Sequence, residues 1–178
     1  VVGVGGGGGN AVNHMYNQGI EEVSFVVCNT DQQALIHSPV PNKILIGEGL
    51  GAGNKPSVAL AAAEDAHDEI RKMLDDGTKM VFITAGMGGG TGTGAAPFVA
   101  SIARELGILT VGIVTIPFLF EGKRKIRQAL KGVAAMSDNV DALLVIHNER
   151  LCSVYPDLEL SNAFGLADNV LTSAARGI

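Results

Sequence analysis

Residues 86–94 read GMGGGTGTG, and this stretch limits the possible folds of the chain more than any other. An apolar run, Met80 to Ile83, precedes it, and a helical pattern from Ala95 to Ile102 follows. The order is therefore strand, glycine loop, helix start. With six glycines in nine residues the backbone is bare, so its N–H groups can come close to a phosphate. The helix that follows adds unpaired amide donors and a partial positive charge. Within the loop the candidate ligand-binding residues are Gly88, Gly89, Gly90, Thr91, Gly92 and Thr93, the two threonines adding hydroxyl donors. No Gly-Lys-Ser/Thr closes the loop, so it is not a Walker A motif. Backbone and dipole, rather than a lysine, would hold the charge.

Two further glycine-rich stretches occupy comparable positions. Residues 1–4 read as a strand, and Gly5, Gly6, Gly7, Gly8 and Gly9 as a turn. A helix is expected over residues 11–17, with Asn10 as its N-cap. Taken alone, Gly3, Gly5 and Gly8 also fit the dinucleotide pattern G-x-G-x-x-G, although a five-glycine run satisfies many such patterns. Residues 23–28 form the next expected strand, ending in Asn29-Thr30-Asp31. Asp31 stands where a dinucleotide-binding fold places its ribose carboxylate, and equally where an N-cap for a helix over residues 32–36 would stand. The third stretch, residues 47–54, follows a short strand at residues 43–46 and includes Ala52 and Gly53.

The remaining chain alternates in the same way. A helix is expected over residues 56–74, with Val58, Ala62, Ala66, Ile70 and Leu74 on its buried stripe and His67 at the surface. Residues 79–85 form the central strand. The helix after the glycine loop runs to about Leu106, with Pro97 in its first turns. Residues 108–115 are an uninterrupted apolar strand, as expected where both faces of a parallel sheet are covered. Pro117 lies in its exit loop. Residues 122–137 read as a helix with Ile126, Leu130, Val133 and Ala134 inward and a basic face that includes Lys125. A sixth strand, residues 141–146, precedes Asn148, and a last helix is expected over residues 160–178, with Phe164 and Asp168 one turn apart. Strand–helix alternation without hairpin signals gives an α/β fold with a doubly wound, mainly parallel sheet. Ligands of such sheets bind outside the C-terminal strand ends. The glycine loops, Asp31, Pro117, Glu121 and Asn148 all fall at such ends.

The 178 residues suit one domain, residues 1–178. A net charge of -5 argues against nucleic acid as a partner, and no apolar run is long enough for direct membrane insertion. Cys28 and Cys152 are far apart and lack metal spacing, so two reduced structural thiols in a cytoplasmic protein are expected, and no metal ligands. The sequence opens on Val1 within a strand pattern and ends at Ile178 within a helical one, so a fragment of a longer protein is expected.

These residues resemble the tubulin and FtsZ family. GGGTGTG (residues 88–94) matches its signature loop. VGVGGGGGNAVNHM (2–15), NTDQQAL (29–35), GLGAGNKP (49–56), TAGMGGGTGTGAAP (84–97), TVGIVTIPFLFEG (110–122) and NAFGLADNVL (162–171) are similar to its bacterial cell-division branch. The resemblance implies a cytoplasmic GTP/GDP-binding domain of a GTPase that polymerises head to tail at the division site, with Mg²⁺ accompanying GTP through phosphates and water. It implies that Gly6 to Asn10 touch the phosphates and the nucleoside end. Gly90, Thr91 and Gly92 hold the β- and γ-phosphates, and Ala52 and Gly53 close over the γ side. Glu121 meets the ribose, Phe164 stacks on the base, and Asn148 and Asp168 read guanine. Lys125 stands near the phosphates where the family often has arginine, which keeps the charge and loses the bidentate fork. The run before Gly49 is shorter than usual, as though residues had been left out. The chain also stops before the acidic loop that, in the family, activates water on the neighbouring subunit's GTP. No catalytic residue is therefore expected in this chain. Other division proteins are expected to bind a C-terminal region outside it. Three other readings are a non-hydrolysing nucleotide-gated assembly module, a tubulin-like plasmid-partition filament protein, which should not share NAFGLADNVL and NTDQQAL, and an NAD-dependent oxidoreductase, which leaves GMGGGTGTG without a role.

Overall fold

The computed structural model describes residues 1–155 together with Asp157, Asn169 and Ser173. The expected last helix, with Phe164 and Asp168, lies outside the described residues, as does the side chain of Cys152.

Short apolar runs form the strands β1 (Val2–Val4), β2 (Val26–Asn29), β3 (Asn42–Leu45), β4 (Met80–Gly86), β5 (Leu109–Ile116) and β6 (Ala142–His147). They make a six-stranded sheet in the order β3-β2-β1-β4-β5-β6, and every neighbouring pair is parallel. The helices are α1 (Gly5–Asn17), α2 (Gln32–Ile36), α3 (Pro56–Asp65), α4 (His67–Leu74), α5 (Thr91–Glu105), α6 (Lys123–Ser137) and α7 (Asn148–Val154). Side chains alternate across the sheet because successive Cβ atoms point to opposite faces. Val2, Val4 and Cys28 therefore join the core beneath α3, α4, α5 and α6, whereas Val27, Val111 and Ile113 join Ala11, Val12 and Met15 of α1 on the other face. In β5 every residue but Leu109 is buried, as a strand covered on both sides requires. Strand order reverses between β1 and β4, where the chain leaves β1 for one flank of the sheet and β4 for the other. Among the described residues no helix is long and apolar enough to cross a membrane.

Four local expectations need correction. First, helix α1 starts at Gly5, not after an Asn10 cap, so the glycine run is its first turn. Gly5, at φ +75°, turns the chain directly from strand into helix. A Cβ at Gly8 would overlap the carbonyl oxygen of Thr84, so this glycine lets α1 lie against β4. Second, the expected helix over residues 56–74 breaks at Ala66 (φ -95°, ψ 15°), where no glycine or proline marks the break. The buried stripe is Ala59, Ala63, Ile70 and Leu74, and Val58 is 46% exposed. The stripe shifts because α3 packs on α5 through small residues: a Cβ at Gly94 would overlap the Pro56 carbonyl oxygen. Third, α5 begins at Thr91, which makes Pro97 an interior residue. Its missing N–H leaves the Thr93 carbonyl without the usual helical partner. Fourth, α6 buries Ala129, Gly132 and Met136, and Leu130 is 53% exposed. His67 lies at the surface beside Asp68 and Glu105, as expected. The Cys28 thiol is buried and pushed up to about 12, first by loss of solvation and then by the charge of Glu69, so it stays protonated and inert near neutral pH.

The packing predicts opposite effects for two adjacent glycines. Within a helix, Gly→Ala ordinarily stabilises by up to about 1 kcal/mol. Gly9→Ala should follow that rule, because open space surrounds a Cβ there. Gly8→Ala should instead destabilise by about 1–3 kcal/mol, because the new Cβ meets rigid backbone at Thr84. Urea denaturation of the two variants checks the sign at each position.

Candidate functional site

A crevice of about 460 Å³ opens over the C-terminal strand ends at the reversal point between β1 and β4. Its volume lies within the range of small-ligand sites. Of the residues singled out from the sequence, Gly6, Gly7, Asn10, Asn29, Asp31, Ala52, Gly89, Gly90, Thr91, Gly92, Pro117, Glu121, Lys125 and Asn148 line it. Gly8, Gly9, Gly53, Gly88 and Thr93 are not among its lining residues, and Phe164 and Asp168 lie outside the described residues. Gly8 is taken up by packing against β4. Gly88, at φ +108°, donates its amide to Thr93 Oγ1 at 2.9 Å, so these two residues brace the loop from within. Residues that sequence reasoning passed over also line the crevice, among them Thr30, Gly51, Asn54, Gly86 and Thr115. Their shared position at strand ends and in the third glycine loop was the available signal.

The electrostatics come mainly from backbone. Helices α1 and α5 both begin at the crevice, with Val4 and Gly90 as N-caps, and neither has a side-chain cap or an acidic residue in its first turn. Helix α2 is the contrast: Asp31 Oδ1 accepts from the amides of Gln33 (2.9 Å) and Ala34 (3.3 Å). Asp31 thus caps α2 through Oδ1 while also lining the crevice. The first-turn amides of α1 and α5 have no such acceptor. The two N-termini also touch, since a Cβ at Gly5 would lie 2.8 Å from the Gly92 nitrogen. Two uncapped positive helix ends converge on one spot, an arrangement suited to an anion.

Around this centre the side chains form short pairs. Thr30 Oγ1 and Thr91 Oγ1 share a hydrogen bond of 2.7 Å, which ties the end of β2 to the start of α5. Glu121 Oε2 accepts from the Phe118 amide at 2.8 Å, and its Oε1 lies 3.5 Å from Lys125 Nζ. Asp31 and Glu121, the carboxylates lining the crevice, are thus both engaged. Asn148 is 5% exposed at the start of α7. Its Oδ1 is buried without a hydrogen-bond partner among the described residues. Among the described residues no three His, Cys, Asp or Glu side chains gather as a metal cluster.

Parallel topology, reversal point and paired helix N-termini define a doubly wound α/β domain of the class that takes a phosphorylated ligand at its strand ends. Residues 1–156 match the Tubulin/FtsZ family, GTPase domain, and the chain belongs to that family. It is 64% identical to the cell division protein FtsZ of Porphyromonas gingivalis, across 100% of this chain and 40% of that protein. It is 53% identical to the cell division protein FtsZ of Aquifex aeolicus, across 100% of this chain and 50% of that one. The structure is similar to an empty FtsZ dimer from M. jannaschii, with TM-score 0.95, 44% identity and coverage of 99% and 52%. It is also similar to a GTPγS-bound protofilament of CetZ2 from Haloferax volcanii, with TM-score 0.83, 26% identity and coverage of 98% and 55%. The chain spans about half the length of the relatives it matches.

The threonine pair gives a prediction about stability. Thr91→Val should cost about 1–3 kcal/mol, because it leaves the buried Thr30 hydroxyl unpaired. Adding Thr30→Val should recover most of that loss, since removing both partners together can be nearly neutral. A double-mutant cycle by chemical denaturation measures the coupling.

Proposed function

We propose that this chain is the GTP- and GDP-binding domain of a filament-forming bacterial cell-division GTPase of the cytoplasm. The carrying observation is the meeting of two uncapped helix N-termini at the reversal point of the sheet. In this reading the amides of Gly89, Gly90, Thr91 and Gly92 hold the β- and γ-phosphates, with Gly6 and Gly7 facing them from α1. Ala52 and Gly53 close over the γ side, and Lys125 adds a cation at the rim. Glu121, held in place through the Phe118 amide, accepts from the ribose. The unpaired Asn148 Oδ1 suits the guanine 2-amino group, a donor that adenine, with its amino group at C6, does not present there. Phe164 and Asp168 complete the base site as a stacking ring and a second acceptor.

Phosphoryl transfer needs positioning and charge stabilisation more than covalent chemistry. The chain supplies the positioning. The crevice carboxylates are occupied by α2, the Phe118 amide and Lys125, so water activation falls to acidic residues of a neighbouring subunit in a head-to-tail filament. Amide and hydroxyl donors on this wall face anions, which fits Mg²⁺ entering with the triphosphate, held by phosphate oxygens and water. When bound, the ion would offset phosphate charge. Partners other than further copies of the protein would be division proteins that bind outside this domain. A domain that binds nucleotide without hydrolysing it describes the isolated 178-residue chain equally well. The dinucleotide reading is disfavoured because Asp31 is committed to capping α2.

Isothermal titration tests the proposal. The chain should bind GTP and GDP and ignore NADH, with slow or no turnover and no filaments when isolated. Binding of NADH in place of GTP would overturn it, and a filament-dependent GTPase rate from the isolated chain would overturn the assignment of water activation to a neighbour. Asn148→Ala should narrow the preference for GTP over ATP by about tenfold, the worth of one well-made hydrogen bond.

A further inference from the structure

Gln128 lies on α6, away from the residues singled out by motif. Its side-chain Nε2 donates to three backbone carbonyls: Gly88 at 2.9 Å, Gly89 at 3.0 Å and Asn54 at 3.2 Å. The first two belong to the loop between β4 and α5, and the third to the loop before α3. One amide group therefore grips both glycine loops. A primary amide carries two hydrogens, so the three acceptors share them.

The grip fixes which way these peptides face. In a trans peptide the carbonyl and the following N–H point in opposite directions. With the Gly88 and Gly89 carbonyls turned back toward Gln128, the amides of Gly89 and Gly90 turn the other way, and both residues line the crevice. On the second loop, Gln128 holds the Asn54 carbonyl while the Lys55 amide donates to Ala52 at 3.0 Å. That closes the turn whose Ala52 and Asn54 form the opposite wall. The loops touch: a Cβ at Gly90 would lie 2.9 Å from both Ala52 Cβ and the Lys55 nitrogen. Gly132, one turn beyond Gln128 on the same face, lets α6 approach, since a Cβ there would lie 2.7 Å from Met87 Sδ.

We infer that Gln128 is a positioning residue that locks the two loops into one anion-binding unit and sets the preference for triphosphate over diphosphate. The preference rests on the reading given above, in which one loop meets the β- and γ-phosphates and the other closes over the γ side. The clamp itself rests only on the three hydrogen bonds. Without it each loop is held only by its own internal contact, Gly88 to Thr93 or Lys55 to Ala52, so both contacts open more often and the relative placement of the loops is lost. A ligand that spans both loops then loses more than one held by the first alone.

Gln128→Met is the test, because it keeps the length of the side chain and removes its donors. Gln128→Lys is the rescue, because it supplies three donors and no acceptor. Hydrogen exchange is measured on the nucleotide-free full-length protein, and GTP and GDP affinities by titration. In the methionine variant, exchange at the Gly88 and Lys55 amides, the hydrogen-bonded amides of the two loops, should rise together by about tenfold, a loss on the scale of one hydrogen bond, while α6 itself stays protected. GTP affinity should fall by about tenfold and GDP affinity by much less. The lysine variant should restore loop protection. Loosening of one loop alone, or no loosening, would overturn the clamp. A GTP-to-GDP affinity ratio that does not change would overturn the selectivity. If the unmodified protein binds neither nucleotide, the functional reading fails, and the exchange data still decide the clamp.

Discussion

The amide hydrogens at the first turns of α1 and α5 control the architecture around them. A helix start normally finds a side-chain acceptor nearby, and α2 does so within its own loop through Asp31. Here two helix starts meet, neither has such an acceptor, and neither has a carboxylate in its first turn. Bringing like partial charges together is unfavourable unless an anion neutralises them. The arrangement persists because both helices are anchored through buried apolar faces on opposite sides of the sheet.

That anchoring depends on backbone meeting backbone. Gly3 under Gly8, Gly8 against Thr84, Gly92 against Gly86 and Gly94 against Pro56 are contacts at which a methyl group would collide with main chain. They form a path from β1 through α1 and β4 to α5 and α3. The glycines therefore act as much in packing as in leaving room for a ligand. Gly8 and Gly94 carry the packing role alone, since neither lines the crevice.

This double use also explains what the sequence revealed and what it hid. The parallel sheet was legible because strand and helix patterns alternate along the chain and no apolar run is followed by a hairpin signal. Most of the crevice was legible too, because strand ends in a doubly wound sheet share one edge, with Asn148 directly after β6 and Glu121 in the exit loop of β5. The start of α1 was not legible: glycine has low helix propensity, so a five-glycine run reads as a turn until packing against β4 is known. The break at Ala66 leaves no mark in local chemistry, and the burial of Ala59 in place of Val58 follows from how closely α3 approaches α5. Gln128 was hidden for a different reason. Its partners are carbonyls 40 and 74 residues away, and a backbone acceptor has no residue type to recognise.

A cradle built from peptide N–H groups has one further consequence. Amide dipoles carry no proton that titrates in the physiological range, so their hold on an anion does not vary with pH. Any acid or alkaline dependence of binding would have to originate outside the cradle itself. The same feature narrows the routes by which affinity can be altered by substitution. A Cβ on Gly90 or Gly92 would collide with neighbouring loop or strand atoms, so a substitution there would displace the cradle and could not fine-tune it. Adjustment must then come from residues that aim the peptides from behind, as Gln128 does from α6.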